Sequence, residues 1–521
     1  MQPALLPAAQ TLIDRLADVK GMGGDPVPGT RHFHVASIGT TFYFAYEQLR
    51  NVAEYREHHL LLRSAIERFL RRYVHLDRFR PVGADLVTEL TQAGYLPNDT
   101  VTYDQMDAMD AVLQDYARLY REITTGKVAE PVQAASWIYQ VASVHLESRL
   151  AANPRGLVVL AYAFEHYLGA IVPPEGVDRS SEGYRIALLC AVQRIVFKSD
   201  QATTRYYCLA QQLANPEKPS AAEFVALNRS VDELYVAPLA NQLARLINRY
   251  GAPMRMLRVM ITEASDPETI LANRQTTLTR LRAVCQQQYA SVFKRLTGRI
   301  VRTILFILIT KTVIGVGLEV PFDLALTGAI QWLPLLVNIG FPPLYMALIG
   351  FTIGTPSRHN TEAIASLTDR MLYATDQPPV EYKAKRRVLS GGLNRLFMVV
   401  YVLGFSLSFG LLGWLLYRLD FNVLSGLIFF IFFSAVSFLG FRLRQSVREL
   451  QLLDERPNLL QTLTDFLQAP FVRVGHWLSD HYAKANLVTL VLDTVIELPF
   501  KTTLRLIQQW SGFIRDRQEE L

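Results

Sequence analysis

Cysteine is nearly absent: the 521-residue chain has three, Cys190, Cys208 and Cys285, with no CxxC among them. That excludes a disulfide framework, and free thiols fit a reducing compartment. No HExxH occurs, and the pairs His32/His34, Glu54/His58 and His476/Asp480 lack the three or four converging ligands a metal requires. They are expected at surfaces and caps. The glycines of GMGGDPVPGT (21–30) lack the GK[ST] ending of a phosphate loop and follow no strand, so the stretch reads as a linker. Alternating β-type runs are scarce. Residues 1–9 lack a basic n-region and are broken by Pro3 and Pro7, which excludes an ordinary secretory signal. With no catalytic, nucleotide or metal motif, the chain is expected to be no enzyme and to need no cofactor.

Charge is missing from three long stretches. Residues 324–357, 396–417 and 421–441 contain no Asp, Glu, Lys or Arg. A bilayer core takes about 20 apolar residues per helix, so each can span one. A further span follows Arg302 through ILFILITKTVIGVGL. Spans are expected near 302–319, 333–354, 396–417 and 421–441. Segment 324–357 is too long for one straight helix and carries Pro334, Pro342 and Pro343, so it reads either as an interfacial helix leading into a kinked span or as a re-entrant segment.

The net charge of +6 is largely explained by where it falls. Lys294, Arg295, Arg299 and Arg302 precede the first span; Arg358, Arg370, Lys383, Lys385, Arg386, Arg387 and Arg395 lie between the second and third; Arg442, Arg444 and Arg448 follow the fourth. The intervening turns hold Glu319, Asp323 and Asp420, with Arg418 the exception. The positive-inside bias therefore predicts both termini in the cytoplasm. Nucleic-acid binding is not expected. Lys383, Lys385, Arg386, Arg387 and Arg395 are candidate contacts for anionic lipid headgroups, worth about 1 kcal/mol each near the surface; orientation bias alone would also produce them.

Outside the spans the periodicity is helical. AYEQLRNVAEYREHHLLLRSAIERFLRRY repeats its apolar residues at helical spacing, with Arg63, Arg68, Arg71 and Arg72 expected on the far, solvent side. Similar segments continue to about residue 297, punctuated by Asn153–Pro154, Pro173–Pro174 and Asn215–Pro216. After the spans, 486–500 is strongly apolar, with Asp493 and Glu497 on one face, and the final residues form an amphipathic stripe suited either to an anionic leaflet or to packing on the soluble domain.

Three features are candidates for function. Lys311 lies about 12–14 Å from either end of its span at 1.5 Å per residue, where a charge costs at least a few kcal/mol. It would serve an ion, proton or headgroup contact. Because the other uncharged spans supply no acidic partner, the plainer reading is a lysine that snorkels or a span shifted in register. Glu319 and Asp323 are four apart, but Pro321 is expected to spoil a shared face. Second, the motif Glu319-Val-Pro321-Phe322 recurs as Glu497-Leu-Pro499-Phe500, either a duplicated element or ordinary helix-stop chemistry. Third, Gly404 with Ser408 and Ser406 with Gly410 have the spacing that lets helices approach closely, with packing between spans three and four as the expected use and a homo-oligomer contact as the other.

AYEQLRNVAEYREHHLLLRSAIERFLRR and ELTQAGYLPND resemble segments of uncharacterised bacterial integral membrane proteins. That resemblance implies a bacterial source and the cytoplasmic (inner) membrane, and it carries no activity and no site residues. The expected architecture is all-α: a flexible segment (1–30), a large cytoplasmic helical domain (31–298), a polytopic membrane domain of about four spans (299–443) and a helical cytoplasmic tail (444–521). The leading expectation for function is a membrane-anchored helical scaffold that holds a protein partner. The alternative is a channel or transporter using Lys311 and the Pro-broken segment 324–357. An enzyme acting on lipid comes third.

Overall fold

The structure is a computed structural model. It describes residues 4–22, 31–35, 43–44, 47–48, 50, 58–174, 176–212, 219–374, 378, 380–383, 391–452 and 459–485. These residues are helical, with one pair of two-residue strands. Lys385, Arg386, Arg387, Glu497, Pro499 and Phe500 lie outside them, and the side chain of Arg395 is likewise not described. The chain divides into two compact units.

The first unit holds α1 (Pro7–Met22), α2 (Leu61–Tyr73), α3 (Gly83–Gln92), α4 (Tyr103–Thr125), α5 (Pro131–Leu150) and α6 (Pro154–Ala170). It continues through α7 (Glu182–Val192), α8 (Gln201–Gln212), α9 (Ala221–Val236), α10 (Pro238–Tyr250), α11 (Ala252–Glu263) and α12 (Pro267–Ala272). Local chemistry starts these helices. Thr102 with Gln105 and Ser220 with Glu223 form capping boxes at α4 and α9. The Asn153 side chain accepts from Gly156 N, and Pro154 takes a first-turn position where its missing N–H costs nothing. Trp137, Ile138, Val141 and Leu146 of α5 are buried at the centre.

Not every arginine of α2 faces solvent. Arg63 is 1% exposed, held by Glu67 at 2.5 Å and Asp200 at 2.6 Å, with Ser143 Oγ at 3.3 Å. The sequence periodicity placed it outside because Asp200 and Ser143, which complete its pairing, come from other segments. Arg68 pairs with Glu47 at 2.7 Å, and Arg72 with Glu89. A second buried arginine, Arg205, donates to Asn228 Oδ1 at 2.8 Å and pairs with Asp232.

Residues 370–384, sequence-adjacent to the membrane spans, belong to this first unit. Leu6 N donates to Leu372 O at 2.9 Å and Ala374 N to Ala4 O at 2.8 Å. The Tyr162 hydroxyl donates to Met371 O at 2.9 Å, and that of Tyr373 to Leu271 O at 2.8 Å. Then β1 (Ile171–Val172) pairs in parallel with β2 (Tyr382–Lys383), Ile171 opposite Tyr382. The buried Tyr382 ring meets Tyr167 and Tyr250.

The second unit begins at 275, not at 299, because α13 (Arg274–Ile314) runs unbroken for 41 residues, about 62 Å at 1.5 Å per residue. It passes through a π-helical turn (Gly315–Glu319) into α14 (Val320–Thr327). Gly328, at φ +69°, ends α14. Then come α15 (Trp332–Thr352), α16 (Arg358–Leu372, whose last residues enter the first unit), α17 (Gly391–Arg418), α18 (Val423–Arg448) and α19 (Leu459–Ala485). Segment 324–357 is thus neither re-entrant nor led by a separate interfacial helix. It is the end of one helix, a turn, and one helix with Pro342 and Pro343 inside it. Among the described residues, four helices are long and apolar enough to cross a membrane: Arg274–Leu326, Trp332–Thr352, Met398–Arg418 and Val423–Arg448. Their outward faces carry Leu305, Phe306, Ile309, Val313, Leu344 and Phe351, all exposed. That is the surface lipid would cover.

Contacts at the two ends fix how these helices alternate. At one end Arg282 pairs with Glu362 at 2.8 Å, Asn360 Nδ2 donates to Tyr289 Oη at 2.8 Å and to Leu450 O at 3.0 Å, and Arg444 donates to Thr352 Oγ1 at 3.1 Å. At the other, Asn422 donates to Asp323, and Gln331 N to Asp323 Oδ2 at 3.3 Å. Helices α13, α15 and α18 therefore run up, down and down between the same two ends.

The described part of the C-terminal segment is no free tail. Residues 444–448 still belong to α18, and α19 returns antiparallel along it: Arg444 pairs with Asp465 at 3.2 Å, and Gly475 lies against Ser434 and Phe438. A Cβ at 475 would stand 2.3 Å from Ser434 O, so only glycine permits this approach. Phe471 fills the gap with its ring 4.7 Å from Phe433 and 5.2 Å from Phe409.

Candidate functional site

Lys311 is 0% exposed and does not snorkel. Its ammonium donates to Asn338 Oδ1 and lies over the Phe432 ring, 4.4 Å from the centroid. Asn338 Nδ2 in turn donates to Glu319 Oε1 at 2.7 Å and to Ser425 O at 3.2 Å. The amide of one helix thus bridges an ammonium and a carboxylate of another. Asn338 and Ser425 are buried, and Glu319 is 1% exposed. The Oε2 atom of Glu319 is buried and has no hydrogen-bond partner among the described residues.

The π turn makes this possible. Eight residues separate Lys311 from Glu319, which in a regular α-helix leaves them about 80° apart at 3.6 residues per turn. One extra residue taken up in the π turn restores two whole turns and a common face. Gly315 begins that turn, and a Cβ there would meet Leu335 Cδ1 at 3.1 Å and Ile339 Cδ1 at 3.2 Å. Glycine lets α15 come close enough for Asn338 to reach both charges. The turn also absorbs Pro321: its missing N–H falls where the helical ladder is already rearranged, so α14 carries on and Asp323 (2% exposed) shares the buried face with Glu319. The expectation that Pro321 separates these two acids is corrected. On α15, Pro342 leaves the Asn338 carbonyl without its usual helical donor, a local break beside the cluster.

The acidic partner that the apolar spans could not supply therefore comes from the far end of Lys311's own helix. Asn338 is the residue that sequence reasoning missed, although an asparagine within WLPLLVNIGFPPLYMALIGFT was itself a signal. Asn422 was missed too: it caps α18 through Ser425 N at 2.8 Å while donating to Asp323.

The other candidates fall elsewhere. Pro321 is exposed and Phe322 half-buried. Gly404 and Ser408 are buried, but their face meets Phe466 of α19 instead of α18; a Cβ at 404 would lie 2.2 Å from the Phe466 ring. Ser406 and Gly410 point outward. Lys383, exposed on β2, pairs with Glu381 at 3.1 Å. No group of three metal-ligating side chains occurs among the described residues. An open pocket of about 480 Å³ in the first unit is lined by Tyr116, Arg118, Glu122, His145 and Arg149, but Arg118 is paired with Asp115 at 2.6 Å and the lining charges balance.

Two titratable groups of the first unit depart from their usual ranges. Burial raises the Glu147 carboxyl to about 7, and burial lowers His166 to about 4. His166 Nε2 sits 3.3 Å from Tyr382 Oη.

No family model, curated protein or solved structure matches this chain.

Proposed function

We propose that the chain is a multi-pass protein of a bacterial cytoplasmic membrane that anchors its first unit as a helical scaffold for a protein partner. The observation that carries this reading is the incorporation of 370–384 into the first unit. The connection between the second and third spans is part of the scaffold's own core, through Tyr373, Tyr382 and the β1–β2 pair. A domain that needed only a tether would require no second covalent connection. The end of the bundle that bears Arg282, Arg358, Arg444 and Arg448 is the cytoplasmic one by the positive-inside bias, and the end with Glu319, Asp323 and Asp420 lies across the membrane. Lys383, Lys385, Arg386, Arg387 and Arg395 then meet anionic headgroups, and the outward Ser406 and Gly410 offer a contact for a second copy. Photo-crosslinkers at Val132 and Val236, 85% and 69% exposed, test the scaffold. Saturable capture of one protein in the native host supports it, and no capture from either site removes it.

A second reading, transport, is favoured by the intramembrane Lys311–Asn338–Glu319 cluster. Flux in proteoliposomes that disappears in Lys311→Met would support it, and equal leak from both proteins would remove Lys311 from the argument.

A further inference from the structure

The cluster around Lys311 is open in one direction and closed in the other. From Lys311 a line of polar groups leads through Asn338 and Glu319 to Asp323, then to Gln331 and Asn422, which are half-buried at the end of the bundle. Toward the opposite end, Ile307, Met346, Ile349 and Val436 form an apolar cluster less than a tenth exposed, with the buried hydroxyls of Ser434 and Ser437 beside it and no charged residue among them. Gly440 lets Ile349 pack against α18 there, within 2.6 Å of where a Cβ would stand. A polar path that stops half-way suits a group that is loaded and unloaded from one face.

We propose that Lys311 and Glu319, bridged by Asn338, form a proton-binding site within the bilayer that exchanges with water only at the face bearing Asp323. The site takes up one proton from that face and returns it there; nothing is oxidised and no bond other than N–H or O–H changes. The unpartnered Oε2 of Glu319 is where the proton is taken up, since it is a buried carboxylate oxygen with no donor among the described residues. The surrounding elements offer few rivals. Residues 303–318 hold no charge besides Lys311, and 332–352 and 423–441 hold none. Glu319 and Asp323 are the acids of the π turn and α14; α15 contributes Asn338 and, beyond it, Tyr345 beside Ser437; α18 contributes Ser425, Phe432 and Ser434. Arg418 and Asp420 are exposed at the Asp323 end. The inference requires the bundle to lie in a bilayer and is independent of any partner of the first unit.

The test is infrared difference spectroscopy on the full chain, oriented in proteoliposomes, with pH stepped on one side at a time. A protonated-carboxyl C=O band should form on acidifying the Asp323 side, should not form on acidifying the other, and should vanish in Glu319→Gln. Absence of the band in the unmodified protein, its survival in Glu319→Gln, or its formation from both sides alike would overturn the proposal. If Glu319→Gln does not fold, Asp323→Asn decides: the band should remain but form more slowly by roughly tenfold or more, and unchanged kinetics would refute the one-sided path.

Discussion

Removing both charges of the Lys311–Glu319 pair should cost less than the sum of removing each alone. Lys311→Met leaves Glu319, 1% exposed and with one oxygen already unpartnered, without its bridged cation. Breaking a buried pair from one side costs about 3–5 kcal/mol. Glu319→Gln leaves the ammonium its Asn338 carbonyl and the Phe432 ring, so its cost should sit near the lower end. Their coupling follows from the bridge. Two hydrogen bonds in series across one amide put the charges about 7 Å apart, which at an effective dielectric of 20 is worth about 2 kcal/mol. The double variant Lys311→Met/Glu319→Gln should therefore be less destabilised than the sum of the two single changes by about that amount. Unfolding in mixed micelles by a denaturing detergent, followed for all four proteins, measures it. Additivity within about 0.5 kcal/mol would mean the two charges do not sense each other, and the bridged arrangement would be wrong.

The first unit should show opposed pH dependences that nearly cancel. Glu147 has a folded value near 7 against an ordinary 4.5, so the native state holds the extra proton and stability falls as pH rises from 4.5 to 7; His166, near 4 against 6.5, makes stability rise as pH climbs from 4 to 6.5. Each effect is on the order of 3 kcal/mol. Glu147→Gln should expose the rising slope and His166→Phe the falling one in hydrogen exchange of α5 and α6, and parallel profiles from all three proteins would refute the assignment. Gly475→Ala should destabilise the second unit by about 1–3 kcal/mol through its clash with Ser434 O, whereas Gly413→Ala, with nothing within 4 Å, should not; equal thermal shifts would deny the close α18–α19 contact.

What the sequence made legible was whatever depends on neighbours along the chain. Apolar runs marked four helices, Asn153–Pro154 marked a helix start, and the basic and acidic loops sorted the two ends of the bundle. What it hid depends on meetings between distant segments. Arg63 reads as a surface residue until Asp200 and Ser143 arrive from elsewhere. Residues 370–384 read as an inter-span loop because nothing local reveals that Tyr382 pairs with Ile171. Gly404 and Ser408 were expected to pack span three on span four; Gly404 lies instead against Phe466, in a segment whose mixed polarity resembled a soluble tail. Lys311 was denied its acid because Glu319 was taken as the end of a helix that in fact continues. A proline two residues later normally justifies that reading; a π turn directly before it does not announce itself in the sequence.

That π turn carries the argument about why the cluster exists. A buried ion pair seldom stabilises a fold more than apolar side chains of the same size would, and in a bilayer the comparison is less favourable still. A bundle selected for stability alone would place leucine or methionine at 311, 319 and 338 and would need no irregular turn, no glycine at 315 and no orphaned carboxylate oxygen. Instead these devices converge on one point: the turn rotates Glu319 onto the face of Lys311, Gly315 admits Asn338, and Pro342 loosens the helix beside it.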